Sequence, residues 1–344
     1  MRGIAVLLVM INHFFPGYLS LYIGWSGVDL FFVLSGFFVS GILFREYKKY
    51  NNIKKARFLI RRAFKIWPLF YFALLIHIFY FNLKGHHFPT RSILAEIFFL
   101  QDYIKGITGI TWSLGIEEQF YILLVFVLAA CFYFKKLRRI VTGCIAIMLL
   151  ILAIRIIHYF YNPYYDPYTH HYPLHLRADA LCCGIIISYQ YHFYEQKLKD
   201  FINKYAVVIL ITALCFLAPV AIFPYNDYHM YTLGLTTTYL GYGLIVTLLL
   251  IRPLANERWQ FFFNRAKLPI AMAWIGYYSY AIYLFHVLIG IGAANFFRKN
   301  IWSNGPLPVY FLVFILSNIL FGWLASVLVE QPFLRLRNRL FPAD

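Results

Sequence analysis

The feature that most constrains this chain is a succession of unbroken apolar runs of about 17 to 25 residues, the length of a membrane-spanning helix. Backbone groups inside a bilayer must be hydrogen-bonded within the protein, so spanning segments are helices or closed barrels. Barrel strands are shorter and alternate polar with apolar residues, unlike these runs. Helical spans are predicted near residues 2–19, 26–44, 64–82, 112–134, 140–160, 176–194, 205–223, 232–251, 272–297 and 308–329.

The composition points to the same class of protein. Hydrophobic residues make up 62% of the 344 and charged residues only 13%, about half of the charged fraction in soluble domains. The predicted fold class is all-α: a polytopic integral membrane protein with about ten transmembrane helices. We predict one transmembrane domain over residues 1–334 and a short basic tail over 335–344. The apolar stretch 93–100 is too short to cross and is predicted to lie in the interface or to re-enter the membrane.

The distribution of Lys and Arg predicts the orientation of the helices. Most of the 31 basic residues fall within segments that successive spans place on one side, at 45–62, 135–139, 197–204, 252–267 and 335–339. Cytoplasmic loops carry such an excess, so both termini are predicted to be cytoplasmic. The net charge of +17 then reflects topology and contact with anionic membrane lipids, and no nucleic-acid partner is predicted.

Two features of the sequence resemble a signal peptide and a metal site but are interpreted in another way. The first apolar run contains Asn12 and His13 and has no small-residue cleavage site after it, so it is interpreted as a retained span and not as a signal peptide. The histidine pairs at 86–87 and 170–171 lack cysteine or carboxylate partners in register. They are interpreted as polar loop residues, and no metal site is predicted.

Ionisable residues inside the apolar runs are the sharper indication of function, because charge in hydrocarbon is costly unless it is paired or functional. Arg2 and His13 are eleven positions apart, which is about 16 Å along a helix and about 20° around it. One face of the first helix therefore presents a cation at its end and an imidazole near mid-membrane. Glu117 and Glu118 point about 100° apart, so at most one of them is predicted to face a given site. Other such residues are Asp29, Arg177, Asp179, His286 and Glu330.

Seven segments, in order along nearly the whole chain, carry a recognisable pattern. They are RGIAVLLVMINH (2–13), GVDLFFVLSGFFVS (27–40), RRAFKIWPLF (61–70), TWSLGIEEQFYIL (111–123), RADALCCG (177–184), SYAIYLFH (279–286) and VEQPF (329–333). Together they resemble the membrane-bound acyltransferase-3 family, whose bacterial members O-acylate glycans such as lipopolysaccharide, peptidoglycan and exopolysaccharide.

The chain departs from the family pattern in two ways that matter here. The family's Arg-x-x-Arg pair reads Arg62 and Lys65, which keeps the charge but loses one bidentate guanidinium. No esterase-like domain follows the last predicted span, so we expect the protein to act alone or to pass the acyl group to a separate partner.

The resemblance implies acyl transfer from a thioester to a hydroxyl, which needs a base to remove the hydroxyl proton. His13 is the candidate, with Asp29 or Glu117 predicted to orient its ring and to stabilise the imidazolium. Alternatively, His13 carries the acyl group covalently. The sequence does not separate these two roles. The predicted catalytic residues are His13, Asp29 and Glu117.

The donor implied by the resemblance is acetyl-coenzyme A or a related acyl-coenzyme A. Its phosphates would meet basic residues at the cytoplasmic entrance through charge-assisted contacts, although topology alone also accounts for basic residues there. Arg177 is predicted either to bind the donor or to stabilise developing oxyanion charge. The predicted donor-binding residues are Arg2, Arg61, Arg62, Lys65 and Arg177.

The acceptor is predicted to be a glycan on the outer side. Aromatic residues at helix ends also anchor a helix in the interface, and tyrosines on one stripe also pack against neighbouring helices, so these alternatives stay open. Glu330 is predicted to be structural and to lie near Arg335 or Arg337. The predicted substrate-binding residues are Trp112, Ser113, Tyr121, Tyr280, Tyr283 and His286.

The predicted function is that of an O-acyltransferase, most simply an O-acetyltransferase, in the inner (plasma) membrane. It would move the acyl group to a hydroxyl of a cell-surface glycan or of its lipid-linked precursor. The alternative is a transporter or flippase of a lipid-linked sugar or small solute, which predicts related halves and paired broken helices; the sequence shows neither. A non-catalytic scaffold would leave the stripe of Arg2 and His13 without a role.

Overall fold

The computed structural model describes residues 1–15, 17, 22–252 and 267–342, and every regular element within them is a helix. The all-α prediction is confirmed for this part of the chain. The helices are α1 (Arg2–Phe14), α2 (Gly27–Tyr50), α3 (Lys55–Leu83), α4 (Thr90–Ile97), α5 (Trp112–Tyr133), α6 (Arg138–Tyr161), α7 (Pro167–His170), α8 (Leu174–Phe193), α9 (Glu195–Ile222), α10 (Leu235–Ile251), α11 (Leu268–Tyr277), α12 (Ser279–Phe285), α13 (Gly292–Asn300), α14 (Leu307–Ala325) and α15 (Gln331–Leu340).

Eight helical stretches of the described chain are long and apolar enough to cross a membrane, and this supports a multi-pass membrane protein. They contain α2, α3, α5, α6, α9, α10, the pair α12–α13, and the pair α14–α15. The other two predicted spans correspond to α1, which is shorter, and to α8, which carries charged residues. The prediction for 2–19 includes positions 16, 18 and 19, which lie outside the described residues, as do Arg258 and Arg265 of the basic segments. The count of ten spans and the orientation stay predictions.

The predicted span 272–297 is not one continuous α-helix. It is divided among α11, α12 and α13, and a π-helical turn over His286–Ile291 separates the last two. A second π-helical turn, Ser326–Glu330, joins α14 to α15. Wider turns of this kind often lie at functional sites, and each of these two contains an ionisable residue that the sequence singled out.

The centre of the bundle is the contact between α2 and α8. An added methyl group on Gly36 of α2 would lie 2.1 Å from the Leu181 carbonyl oxygen, and one on Gly184 of α8 would lie 2.1 Å from that of Val33. The two backbones are therefore in direct contact, as small residues permit between helices in a membrane.

The charged residues of α8 are paired inside the protein. Nη2 of Arg177 lies 2.9 Å from Oδ1 of Asp29 on α2, and Nη2 of Arg155 on α6 lies 2.6 Å from Oδ2 of Asp179. All four side chains are at most 2% exposed. Opposite charges on neighbouring helices thus allow α8 to lie between α2 and α6 despite its polarity.

The segment between α3 and α5 contains α4, which has eight residues and is too short to span a bilayer, as predicted for 93–100. The buried carboxylate of Glu96 accepts hydrogen bonds from Ile107 N at 3.0 Å and from Oγ1 of Thr111 at 2.8 Å. Burial raises the pKa of Glu96 to about 7. This carboxylate fixes the loop that leads into Trp112 and the rest of α5.

The segment between α6 and α8 folds inward over the bundle. His170 is 2% exposed, and its Nε2 lies 2.8 Å from the Asn162 carbonyl oxygen, while His171 is 6% exposed. The interpretation of positions 170–171 as polar loop residues is therefore wrong about their environment: both side chains are buried, and the rings of His171 and Tyr172 pack against Trp112 of α5.

The first residues of the predicted basic tail are helical and belong to α15, which packs along α3. The guanidinium of Arg61 on α3 donates a hydrogen bond to the Phe341 carbonyl. Positions 343–344 lie outside the described residues.

Candidate active site

His13 and His286 form a hydrogen-bonded pair, called here the histidine pair, although 273 positions separate them. Nδ1 of His13 lies 2.9 Å from the Val9 carbonyl oxygen and 3.1 Å from Nε2 of His286. Nδ1 of His286 lies 2.6 Å from the Tyr283 carbonyl oxygen. His286 opens the π-helical turn after α12 and is fully buried. The wider turn thus lies where α12 meets the end of α1.

The hydrogen bonds define one protonation pattern for the two neutral rings. A backbone carbonyl only accepts, so Nδ1 of His286 carries a proton and its Nε2 is left as an acceptor. Nδ1 of His13 has two acceptors, Val9 O and this Nε2, so it also carries its proton. The unprotonated nitrogen of His13 is then Nε2, which is the atom that can remove a proton from a hydroxyl.

The prediction that Asp29 or Glu117 contacts His13 is wrong. Asp29 is paired with Arg177. Glu117 accepts hydrogen bonds from Ser35 Oγ at 2.8 Å and Tyr121 Oη at 2.9 Å. Both carboxylates are held by other polar groups, of which only Tyr121 is on the same helix as its partner, and a histidine orients the ring instead. Catalytic roles for Asp29 and Glu117 stay predictions.

Three cavities adjoin one another along the interior. The vestibule has a volume of about 600 Å³ and is lined by basic residues of α2, α3 and α15. The basic cavity, of about 70 Å³, shares Arg62 and Lys65 with the vestibule. The aromatic cavity, of about 220 Å³, shares Val28 and Tyr283 with the basic cavity and is lined by His13. Val28 and Tyr283 therefore form the wall between the cation-rich space and the histidine.

The predicted donor-binding residues lie along this series, with one exception. Arg61 lines the vestibule, Arg62 and Lys65 line the vestibule and the basic cavity, and Arg2 lines the basic cavity. Arg177 lines none of these three cavities, because its side chain is buried against Asp29. A role for Arg177 in binding the donor or in stabilising oxyanion charge stays a prediction.

Two of the cations at the entrance, Arg62 and Lys65, are paired with carboxylates. Nη2 of Arg62 lies 3.6 Å from Oε2 of Glu117, and its Nε lies 3.7 Å from Oε1 of Glu118. Glu117 alone of these two acids lines the basic cavity, in keeping with their predicted angular separation, yet both reach the same guanidinium. Lys65 donates a hydrogen bond to Glu330. Ser326 Oγ also donates to Glu330, at 2.7 Å. Glu330 interacts electrostatically with Arg337 as well, in keeping with its predicted position near that residue.

The six predicted substrate-binding residues do not form one site. Tyr280, Ser113 and Tyr283 line the basic cavity, and Trp112 and Tyr283 line the aromatic cavity. Tyr283 Oη donates to the Ile110 carbonyl and lies 2.7 Å from Ser113 Oγ, which holds the wall in place. Two of the six contact other site residues instead of these cavities, namely Tyr121, which donates to Glu117, and His286, which holds His13.

Sequence reasoning missed most of the aromatic cavity. Its further lining residues come from the turn before α2, from the segment between α6 and α8, and from the turn after α9: Trp25, Tyr165, His171, Tyr172 and Tyr225. The dense aromatic composition of residues 159–172 was the available signal. Its position over α1 depends on how the segment folds back, which the sequence pattern does not indicate.

A helical bundle with bilayer-length helices and an interior histidine beside a cation-lined space defines a multi-pass membrane protein with a buried polar site. The family profile described as "Acyltransferase domain" (Acyl_transf_3) matches residues 1–327. The chain belongs to the acyltransferase-3 family.

Two relatives carry names that state an activity. The peptidoglycan O-acetyltransferase OatA of Listeria monocytogenes is 24% identical over 97% of this chain and 56% of its own length. The O-acetyltransferase OatA of Staphylococcus aureus (strain NCTC 8325 / PS 47) is 25% identical over 96% of this chain and 56% of its own length. This chain thus spans about half the length of the curated relatives it matches. No solved structure matches it.

Proposed function

We propose that this protein is an O-acyltransferase of the inner (plasma) membrane. It transfers an acetyl or similar acyl group from cytoplasmic acyl-coenzyme A to a hydroxyl of a cell-surface glycan or of its lipid-linked precursor. The single observation that carries the proposal is the position of His13: its Nε2 is the unprotonated nitrogen, and it lines a cavity that adjoins a cation-lined space. Family membership and the names of two relatives support the reaction class.

The vestibule fits the phosphates of coenzyme A. Arg45, Arg57, Arg61 and Arg337 line it together with the two cations it shares with the basic cavity. Guanidinium groups bind phosphate through two parallel charge-assisted hydrogen bonds. The narrow basic cavity is lined by Arg2 beside apolar and hydroxyl side chains, which suits an extended pantetheine arm that carries the thioester toward Val28 and Tyr283.

The histidine pair supplies the proton transfers. In the direct reaction, Nε2 of His13 takes the proton of the acceptor hydroxyl while the hydroxyl oxygen forms a bond to the thioester carbonyl carbon. The carbon–sulfur bond then breaks, and the imidazolium returns the proton to the departing thiolate. In the covalent variant, Nε2 itself forms the bond to the carbonyl carbon, the carbon–sulfur bond breaks, and coenzyme A leaves as its thiolate. The acceptor hydroxyl then takes the acyl group from Nε2, and the hydroxyl proton balances the charge of the thiolate.

The test is transfer of radiolabelled acetyl groups from acetyl-coenzyme A to envelope glycans in membranes that contain the protein. We expect His13→Ala to lower the rate about 10²- to 10⁴-fold, the usual contribution of a general base. His87→Ala is the matched control, because His87 is exposed and lies outside the site. Wild-type transfer by His13→Ala at equal expression would contradict the proposal.

The same membranes separate the two roles of His13. When acetyl-coenzyme A is supplied without acceptor, a covalent carrier accumulates one acetyl group on the peptide that contains His13, and mass spectrometry detects it. If His13 acts as a general base, this peptide stays unmodified although acetyl transfer still depends on His13. Either result identifies the route.

A further inference from the structure

Three side chains that line the aromatic cavity each carry a buried polar atom with no hydrogen-bond partner among the described residues. These atoms are Nε1 of Trp25, Oη of Tyr165 and Nδ1 of His171. Trp25 is 7% and His171 is 6% exposed. Buried polar atoms in native proteins are almost always hydrogen-bonded, and each exception requires an explanation. Three exceptions around one cavity indicate polar groups arranged for a ligand.

The rings around this cavity form one continuous aromatic surface. The ring centroids of Trp25 and His171 are 5.9 Å apart, and those of Trp112 and His171 are 5.5 Å apart. Trp112 stacks on Tyr172 with centroids 4.4 Å apart and an interplanar angle of 15°. A ligand in this space meets flat apolar faces on several sides and the three polar atoms between them.

The charge of the lining restricts the ligand class. No Lys, Arg, Asp or Glu occurs among the described residues that line the cavity. Burial, with Arg177 and Arg155 nearby, holds the pKa of His171 well below its usual range, and burial raises the pKa of Tyr165. His171 is therefore neutral and Tyr165 keeps its proton, so the cavity offers neutral hydrogen-bonding groups and does not suit a phosphate or a carboxylate.

We propose that the aromatic cavity binds one sugar ring of the acceptor, that Trp25, Tyr165 and His171 hydrogen-bond its hydroxyls, and that the hydroxyl to be acylated lies at Nε2 of His13. This inference rests on the proposed function, because it assigns the acceptor to the same site. A pyranose ring presents apolar C–H faces to aromatic rings and hydroxyls at its edge, which matches both parts of this lining. An acyl chain would leave the three polar atoms unpaired.

The size of the cavity fits a single ring. Sites for drug-sized ligands are clefts of about 300–1,000 Å³, and this cavity measures about 220 Å³. We therefore expect one monosaccharide unit to be enclosed while the rest of the glycan extends outward.

The first test is binding without donor. Purified protein in nanodiscs is titrated calorimetrically with four neutral sugars, namely glucose, N-acetylglucosamine, N-acetylgalactosamine and rhamnose. We expect at least one sugar to bind. Tyr165→Phe, which removes only the hydroxyl, and Trp25→Phe, which removes the indole N–H together with part of the ring surface, should each weaken binding about five- to tenfold. Tyr164→Phe is the matched control, because Tyr164 precedes Tyr165 and is 84% exposed. Absence of binding to all four sugars, or equal binding by the variants, overturns the proposal.

The second test uses the kinetics of transfer to the sugar that binds. Trp25→Phe and Tyr165→Phe should raise the acceptor KM about five- to tenfold and leave the KM for acetyl-coenzyme A unchanged. A parallel rise in both KM values would indicate a general structural defect and overturn the assignment. Sugar binding that depends on Tyr165, without any acetyl transfer by the wild-type protein, would contradict the proposed function and support the binding site.

Discussion

At the scale of single residues, the chemistry depends on how one imidazole is held. The ring of His13 is fixed at Nδ1 by the Val9 carbonyl and by His286, and the Tyr283 carbonyl fixes His286 in turn. A neutral histidine orients the ring as a carboxylate would, but without adding a buried negative charge, which is costly in an apolar interior. His286 is therefore a positioning residue, since it reaches the reaction only through His13.

We predict that His286→Phe lowers kcat about tenfold to a hundredfold with little change in the KM for acetyl-coenzyme A. The phenyl ring removes the acceptor at Nε2 and leaves the His13 tautomer and orientation less defined. His286→Gln should recover part of the activity, because its amide oxygen can accept from Nδ1 of His13. Steady-state kinetics of the three proteins in detergent measures both parameters.

The split between the two kinetic parameters distinguishes positioning from structural damage. A variant that is merely unstable loses active protein. In that case the apparent kcat of His286→Gln and that of His286→Phe would both fall in proportion to the folded fraction. If His286→Phe keeps wild-type kcat, the contact of His286 with His13 has no part in the reaction.

Part of this site could be predicted from the sequence, for physical reasons that differ by residue. The stripe of Arg2 and His13 follows from helix geometry alone, and the structure places Arg2 at the basic cavity and His13 at the aromatic cavity. The contact between His13 and His286 joins opposite ends of the chain, and local periodicity carries no information about such a contact.

At the scale of helices, the fold depends on the approach of α2 and α8. Gly36 and Gly184 leave no space for a methyl group, so the Arg177–Asp29 pair is held at its distance by backbone contact. Substitution of either glycine by a larger residue is expected to destabilise the protein, because packed interiors accommodate an extra carbon only by shifting the backbone.

We predict that Gly184→Ala destabilises the protein by about 1–3 kcal/mol, since the new methyl group would overlap the Val33 carbonyl. Gly143→Ala on α6 is the matched control, because nothing lies within 4 Å of the methyl group it adds. That control should be neutral or stabilising by up to about 1 kcal/mol, as alanine favours a helix. Thermal unfolding in detergent compares the two; equal midpoints would contradict the assigned contact.

The helices themselves were predictable because length and apolarity are local properties. The break of the predicted span 272–297 was not, since the turn at His286–Ile291 depends on the contact of His286 with His13. The cavity-lining segment between α6 and α8 was also beyond prediction, because its aromatic side chains are buried by tertiary packing and not by periodicity.

At the scale of the whole molecule, the proposed reaction requires the vestibule to open toward the cytoplasm. The distribution of basic residues predicts this orientation, and the vestibule lies at the end of α2 and the start of α3, where many of them are concentrated. The two ends of the bundle can therefore be assigned to sides of the membrane by labelling.

We predict that a membrane-impermeant maleimide labels His87→Cys in intact cells and labels Lys199→Cys only after the membrane is opened. His87 is exposed and the side chain of Lys199 is 44% exposed, and the two lie on segments predicted to face opposite sides. Wild-type protein, which has five native cysteines, gives the background. Labelling of Lys199→Cys in intact cells would reverse the orientation and place the vestibule on the wrong side for a cytoplasmic donor.

The wall between the basic and aromatic cavities also affects whether protons can leak across the membrane. A continuous file of water through the bundle would let protons run down their electrochemical gradient, and the gradient would no longer be available for ATP synthesis. Because Tyr283 is held by Ser113 and the Ile110 carbonyl, the two spaces stay separate at rest. In the proposed reaction, this separation would allow an acyl group to cross the bundle while the membrane potential is kept.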